Sequence, residues 1–205
     1  WIELHNPTPT ALDLSNWTLS RGVSYVFPPG TSLPANGYLV VAADTPAFNA
    51  AHPGIDNGTN VFGPWIGRLQ NSGETIELED AAGRRADRVQ YADEGDWAIR
   101  ARGPLDNGHE GWTWVAAHDG GGSSLELINP TLSNNRGQNW ASSAVAGGSP
   151  GAVNSVASGS GAPLILNVRH EPVIPRSSDT VVITAELEHA TITQPPTLHW
   201  RADDQ

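Results

Sequence analysis

The run Asp93-Glu94-Gly95-Asp96 is the best candidate for an ion site in the chain. Hard cations such as calcium take several oxygen ligands at turn spacing, and a glycine permits the bend. Asp106 and Asp119 could join it. The same run also reads as a solvated acidic turn, which needs no ion. Four tryptophans, Trp65, Trp97, Trp112 and Trp114, are the candidates for a ligand surface. An exposed indole stacks on sugar rings and anchors protein contacts. The competing reading is packing in core and loops. Trp112 and Trp114 share one face of a strand, and as a small core they would pin a loop.

Other chemistry finds no footing. The chain has 7 His and no Cys. It contains neither His-Glu-x-x-His nor His-x-His. Without Cys there is no disulfide framework, thiol nucleophile or Cys-ligated zinc. The Gly-x-Ser-x-Gly elbow is missing, and the Ser158-Gly159-Ser160-Gly161 tract sits in linker composition. No Gly-rich loop joins a strand to a helix, which argues against a nucleotide. No catalytic residue is assigned, and calcium is the one cofactor left open. Asn16-Trp17-Thr18 and Asn57-Gly58-Thr59 fit the glycosylation acceptor pattern, and they read as chance matches.

Charge narrows the partners. The net charge is −11 over 205 residues, and the densest basic cluster, Arg84, Arg85 and Arg88, is interrupted by Asp80 and Asp87. Nucleic acid needs a continuous basic stripe, so it is excluded as a partner. No run approaches the roughly 18 apolar residues of a membrane-spanning helix, so membrane insertion is not expected. All 11 basic residues are Arg, which fits a GC-rich genome better than a mechanism. The missing initiator Met and the start at Trp1 suggest a fragment or a processed chain.

The elements that must position these residues are short. The 22 glycines and 16 prolines imply many turns and little helix. Trp1-Ile2-Glu3-Leu4-His5 alternates and stops at Asn6-Pro7. Leu12-Asp13-Leu14, Trp17-Thr18-Leu19, residues 23–27 and the apolar run at 37–43 follow as strands. One helix of about two turns is predicted after Asp44, with Pro46 in its first turn. Phe48, Ala50 and Ala51 would face the core, and Pro53-Gly54 would end it. Residues 74–91 form a hairpin about Ala81-Ala82-Gly83. Ile76 and Leu78 point to the core, while Glu77 and Glu79 point to a wet face. Residues 92–123 read as a long structured loop with a short strand at 111–115, and residues 124–128 as a further strand.

Residues 147–163 have the composition of a flexible linker. Beyond them, 164–168, 180–187 and 196–201 alternate as three strands of a second sandwich. Their open edges suggest that the protein continues past Gln205. The predicted organisation is a sandwich over 1–155, a linker over 156–163, and part of a second sandwich over 164–205.

Several motifs in order resemble one family. Trp1-Ile2-Glu3-Leu4-His5-Asn6-Pro7 is similar to the opening strand of lamin-tail domains. Leu14-Ser15-Asn16-Trp17-Thr18-Leu19 resembles their second strand, and the stretch from Phe27-Pro28-Pro29-Gly30 to Tyr38-Leu39-Val40-Val41 resembles the segment that follows. The 75–91 hairpin, Ser124-Leu125-Glu126-Leu127, and the stretch Gly148-Ser149-Pro150-Gly151 with Asn154 resemble the later elements. The resemblance implies an all-β, immunoglobulin-like β-sandwich with no catalytic residues, carried in large exported bacterial proteins. The family strand that usually precedes the first motif has no counterpart here, which would leave one sheet short of an edge. The 92–123 stretch is longer than in nuclear members.

The expectation is a non-catalytic structural or interaction module at the cell surface or outside the cell. Its partners would be neighbouring domains of the same polypeptide and a protein or glycan ligand. The alternative is a carbohydrate-binding accessory module of an enzyme whose catalytic domain lies elsewhere.

Overall fold

Alternating runs broken by Asn, Pro and Gly become strands of two to eight residues. The structure, a computed structural model, describes residues 1–159, 163–188 and 197–198. In chain order the elements are β1 (Ile2–His5), β2 (Leu12–Asp13), β3 (Thr18–Arg21), β4 (Val23–Val26), β5 (Ser32–Leu33), β6 (Tyr38–Val41), α1 (Thr45–Ala51), β7 (Val61–Phe62), β8 (Ile66–Gly67), β9 (Gly73–Glu79), β10 (Arg85–Ala92), β11 (Ile99–Asp106), β12 (His109–Val115), β13 (Leu125–Leu127), β14 (Trp140–Ser142), β15 (Leu164–Glu171) and β16 (Val182–Glu188). They fall into two compact units, Trp1–Gly159 and Ser160–Gln205.

The first unit is an immunoglobulin-like β-sandwich. One sheet has the order β1-β6-β7 and the other β10-β9-β3-β4-β8. Leu39 and Val41 of β6 join Leu14, Leu19, Val23, Phe27, Leu33 and Trp65 in the main core. Each such side chain contributes about 1.5–3 kcal/mol by leaving water. The alternate residues Val40 and Ala42 face a second, smaller core with Phe48 of α1, flanked by Trp1, Ile55 and Val61. Both faces of β6 are therefore covered, which explains its unbroken apolar run.

Helix α1 starts as its sequence predicts. The Asp44 side chain accepts from the Ala47 N–H at 2.9 Å, and Pro46 stands in the first turn. Phe48 is buried, but Ala50 and Ala51 face solvent, contrary to expectation. Phe48 is the one residue of α1 that is buried.

The β9–β10 hairpin forms about a turn in which the Asp80 carboxylate accepts from the N–H groups of Ala82 and Arg84 and from Arg84 Nε. Its outer face is not simply wet. Glu77 is buried, 8% exposed, because Arg21 of β3 and Arg85 and Arg88 of β10 lie over it at 3.3, 3.8 and 3.7 Å.

The 92–123 stretch differs most from its prediction. A 3₁₀ turn (Gly95–Trp97) leads into a two-stranded ribbon of β11 and β12. Gly-Asp-Trp composition hid the pairing, and a bulge between Arg102 and Leu105 broke the period. β13 and β14 form a separate pair, as do β2 and β5. In the second unit β15 and β16 pair antiparallel, with an irregularity between Leu166 and Arg169. The strand predicted over 196–201 lies almost entirely outside the described residues.

Candidate functional site

Two places in the first unit could meet a ligand, and both follow from how strands end. The first is a cleft of about 930 Å3, walled by β1 on one side and β13 on the other, with Trp17, Ile76 and Leu78 among its apolar lining. β1 pairs only with β6, and β13 only with β14, among the described residues.

Two carboxylates stand at this wall in opposite states. Glu126 is 3% exposed. Its Oε1 accepts from Ser149 N and Oγ at 2.9 and 2.7 Å and from Ser124 Oγ at 3.2 Å. Its Oε2 accepts from Ser155 N and Oγ, both at 2.7 Å. Burial would push this carboxyl up, but the donors from Ser155 and Ser149 outweigh it and hold the group below the usual carboxylate range. Glu3 has one such donor, Gly151 N–H at 2.5 Å. Burial pushes the Glu3 carboxyl up to about 7; the Gly151 N–H opposes this and the Glu126 charge adds to it. Glu126 thus staples the 149–155 segment to β13, and Asn154 reinforces it by donating to Leu127 O at 2.9 Å.

Among the described residues, a His-Ser contact of the kind a nucleophile and base make is His118 Nδ1 at 3.2 Å from Ser142 Oγ. The other ring nitrogen, Nε2, faces the Ala92 carbonyl at 3.1 Å. No carboxylate orients the ring, so the pair lacks the third member of a triad. It ties the 116–123 turn to β14 and to the end of β10.

The predicted tryptophans separate. Trp65 is 9% exposed and belongs to the main core, so it is not a ligand surface. Trp97 packs on Trp140 at 5.9 Å between ring centroids. That contact forms because the 3₁₀ turn at 95–97 meets another at Gly137–Asn139. A Cβ on Gly137 would lie 2.6 Å from the Asp96 carbonyl carbon, so only glycine permits the approach. Trp112 and Trp114 share a face as predicted, but they do not form a core. They are 52% and 44% exposed, and every residue of β12 faces solvent.

The acidic run does not gather. Among the described residues, no group of three or more His, Cys, Asp or Glu is placed to hold a metal ion. Asp96 Oδ2 accepts instead from Gln138 Nε2 at 3.0 Å. Asp93 and Glu94, with Asp119, edge a shallow hollow beside Trp114 and Ala116. Asp106 sits at the far end of β11, with Asn107 donating to it.

The second place is the β11–β12 ribbon itself. Arg102 stands opposite Trp112, and Arg100 opposite Trp114. Both guanidiniums lie 4.3 Å from the centroid of the Trp112 ring. Arg102 also reaches Glu110 at 3.4 Å. The other face carries Ile99 and Val115, both exposed. Composition alone did not single out Arg100 and Arg102, although Arg-x-Arg against Trp-x-Trp is a period-two signal.

The likeness to a known family lies within the strands β1 to β10. Residues 1–93 match the Lamin Tail Domain family model. The lamin-tail match ends one residue past β10. It fits an immunoglobulin-like, non-catalytic structural domain. The ribbon, the Glu126 staple and the second unit all lie beyond the matched residues. No curated protein and no solved structure matches the chain.

Proposed function

We propose that the chain is a non-catalytic interaction module of a large exported or cell-surface bacterial protein, and that the β11–β12 ribbon is its contact surface. One observation carries the reading. The ribbon adds no residue to either buried core, yet it displays Ile99, Leu105, Trp112, Trp114 and Val115 to solvent. A two-stranded ribbon alone is marginally stable, and exposed apolar surface of this kind marks interaction sites. The sandwich then serves as a rigid base that presents it. Neighbouring domains and a protein ligand are the partners this arrangement suits.

A glycan ligand is the second reading, favoured by the exposure of Trp112 and Trp114. Replacing residues 99–115 by a short Gly-Ser turn tests the first. Attachment of the immobilised chain to extracellular material of a producing bacterium should be lost while the melting temperature holds. Undiminished attachment would refute it, and a glycan array with the intact chain would separate the second reading.

A further inference from the structure

We propose that β11 is a strand-addition edge for an extended acidic peptide, whose alternate carboxylates meet Arg100 and Arg102. The proposal rests on the reading of the ribbon as the contact surface and names its partner.

The edge is open. Among the described residues β11 pairs with β12 alone. An unpaired strand edge is a row of backbone donors and acceptors that a second chain can extend. Pro104 has no N–H, so the usable stretch is residues 99–103. That is enough for a short added strand, and the proline stops it from growing further.

The charge is arranged for carboxylates. Arg100 and Arg102 project to one face, and stacking on Trp112 holds both guanidiniums in place before any ligand arrives. Such preorganisation lowers the entropy lost on binding. Residues two apart on a strand repeat at about 6.6 Å, which is also the repeat of alternate side chains on an added strand. Each guanidinium fork can take one carboxylate. Arg102 already holds the exposed Glu110, which a ligand carboxylate would replace, while Arg100 has no ion-pair partner among the described residues. In a chain of net charge −11 this pair is a local reversal of sign.

The other face fixes the remaining positions. Ile99 is 71% exposed, with Ala101 beside it on the same face of β11. A strand that alternates acidic and apolar residues would satisfy both faces. The chain already contains such a pairing: β9 alternates Ile76-Glu77-Leu78-Glu79, and its Glu77 is covered by arginines from the strands on both sides. Because guanidiniums lie over Trp112, that surface offers charge more than bare indole, which favours the peptide over a neutral sugar.

The probe is a fluorescein-labelled, end-blocked peptide alternating Val and Glu, titrated with the 205-residue chain and read by anisotropy. A Val–Lys peptide is the control. The Glu peptide should bind and the Lys peptide should not, with affinity falling as salt rises from roughly 0.05 to 0.5 M. The double variant R100E/R102E should bind about tenfold or more weakly with an unchanged melting temperature. The alternate amides within 99–103 that face away from β12 should gain exchange protection with the Glu peptide.

Equal binding of the two peptides, no binding, or indifference to the charge reversal would overturn the proposal. So would sedimentation showing that β11 pairs with a second copy of the chain instead. If attachment depends on the ribbon while the peptide fails, only the acidic-strand proposal falls. If attachment survives removal of the ribbon, the functional reading falls with it.

Discussion

Replacing Glu126 by Gln should destabilise the first unit by about 3 kcal/mol. Gln keeps the shape and one acceptor oxygen but turns the other oxygen into an amide donor. The Ser149 donors can stay with the remaining oxygen, at 2.9 and 2.7 Å in the wild type. The Ser155 hydroxyl can rotate to accept. The Ser155 N–H cannot: it loses its carboxylate acceptor, faces a second donor, and keeps only the more distant Ser149 Oγ at 3.1 Å. Leaving a buried donor poorly paired costs up to about 1–3 kcal/mol, and hydrogen bonds to a charged group are each worth about 1.5–3 kcal/mol. These terms overlap, so about 3 kcal/mol is the expected net, or a fall of about 6–12 °C in melting temperature for a unit of this size.

The pH dependence supplies the control. The Glu126 carboxyl is held below its ordinary value of 4.5. Its ionisation therefore stabilises the fold above that value, and the contribution is lost as pH falls through the folded pKa. The gap between wild type and Glu126→Gln should be widest near neutrality and close in acid. Urea unfolding followed by circular dichroism at a series of pH values measures it. A neutral-pH loss below about 1 kcal/mol, or a gap that stays constant into acid, would refute the staple.

Glu3→Gln should act in the opposite sense. Its folded pKa of about 7 lies above 4.5, so the wild type loses stability as pH rises from 4.5 through 7, by at most about 3 kcal/mol. The variant should match it near pH 4 and melt higher at pH 8; equal melting at pH 8 would count against the buried carboxyl. Gly137→Ala should cost about 1–3 kcal/mol by overpacking, with a loss of protection around Trp97 and Trp140; an unchanged melting temperature would show that the two 3₁₀ turns need no contact. Trp65→Ala should cost about 3–5 kcal/mol as a core truncation, while Trp112→Ala should stay within about 0.5 kcal/mol; denaturant titrations of both would expose a reversed order.

The sequence carried the sandwich because its strands obey local rules. The runs at Ile2, Leu19, Leu39 and Ile76 alternate or stay apolar, and Asn6-Pro7 and Pro28-Pro29-Gly30 end them. Asp44 and Pro46 announce α1. Long-range pairing carried no such signal. Glu77 reads as a wet residue until three arginines from two other strands lie over it. Trp65 looks like a platform because Gly and Pro surround it, yet it belongs to the main core. Most of β12 was legible as the strand predicted over 111–115, but its partner β11 was hidden by Gly103, Pro104 and the bulge after Arg102. The serines around Glu126 are 2, 23 and 29 residues away from it, so no local pattern reveals the cage.

The sandwich should be complete as a folded body without its ribbon, which is left as surface for a partner. Amide hydrogen exchange on the intact chain tests this most directly. Amides of β3, β6 and β9 should exchange only on global unfolding, and those of β11 and β12 by local opening at far lower cost. Ribbon amides protected to the same level as the core strands would contradict the account.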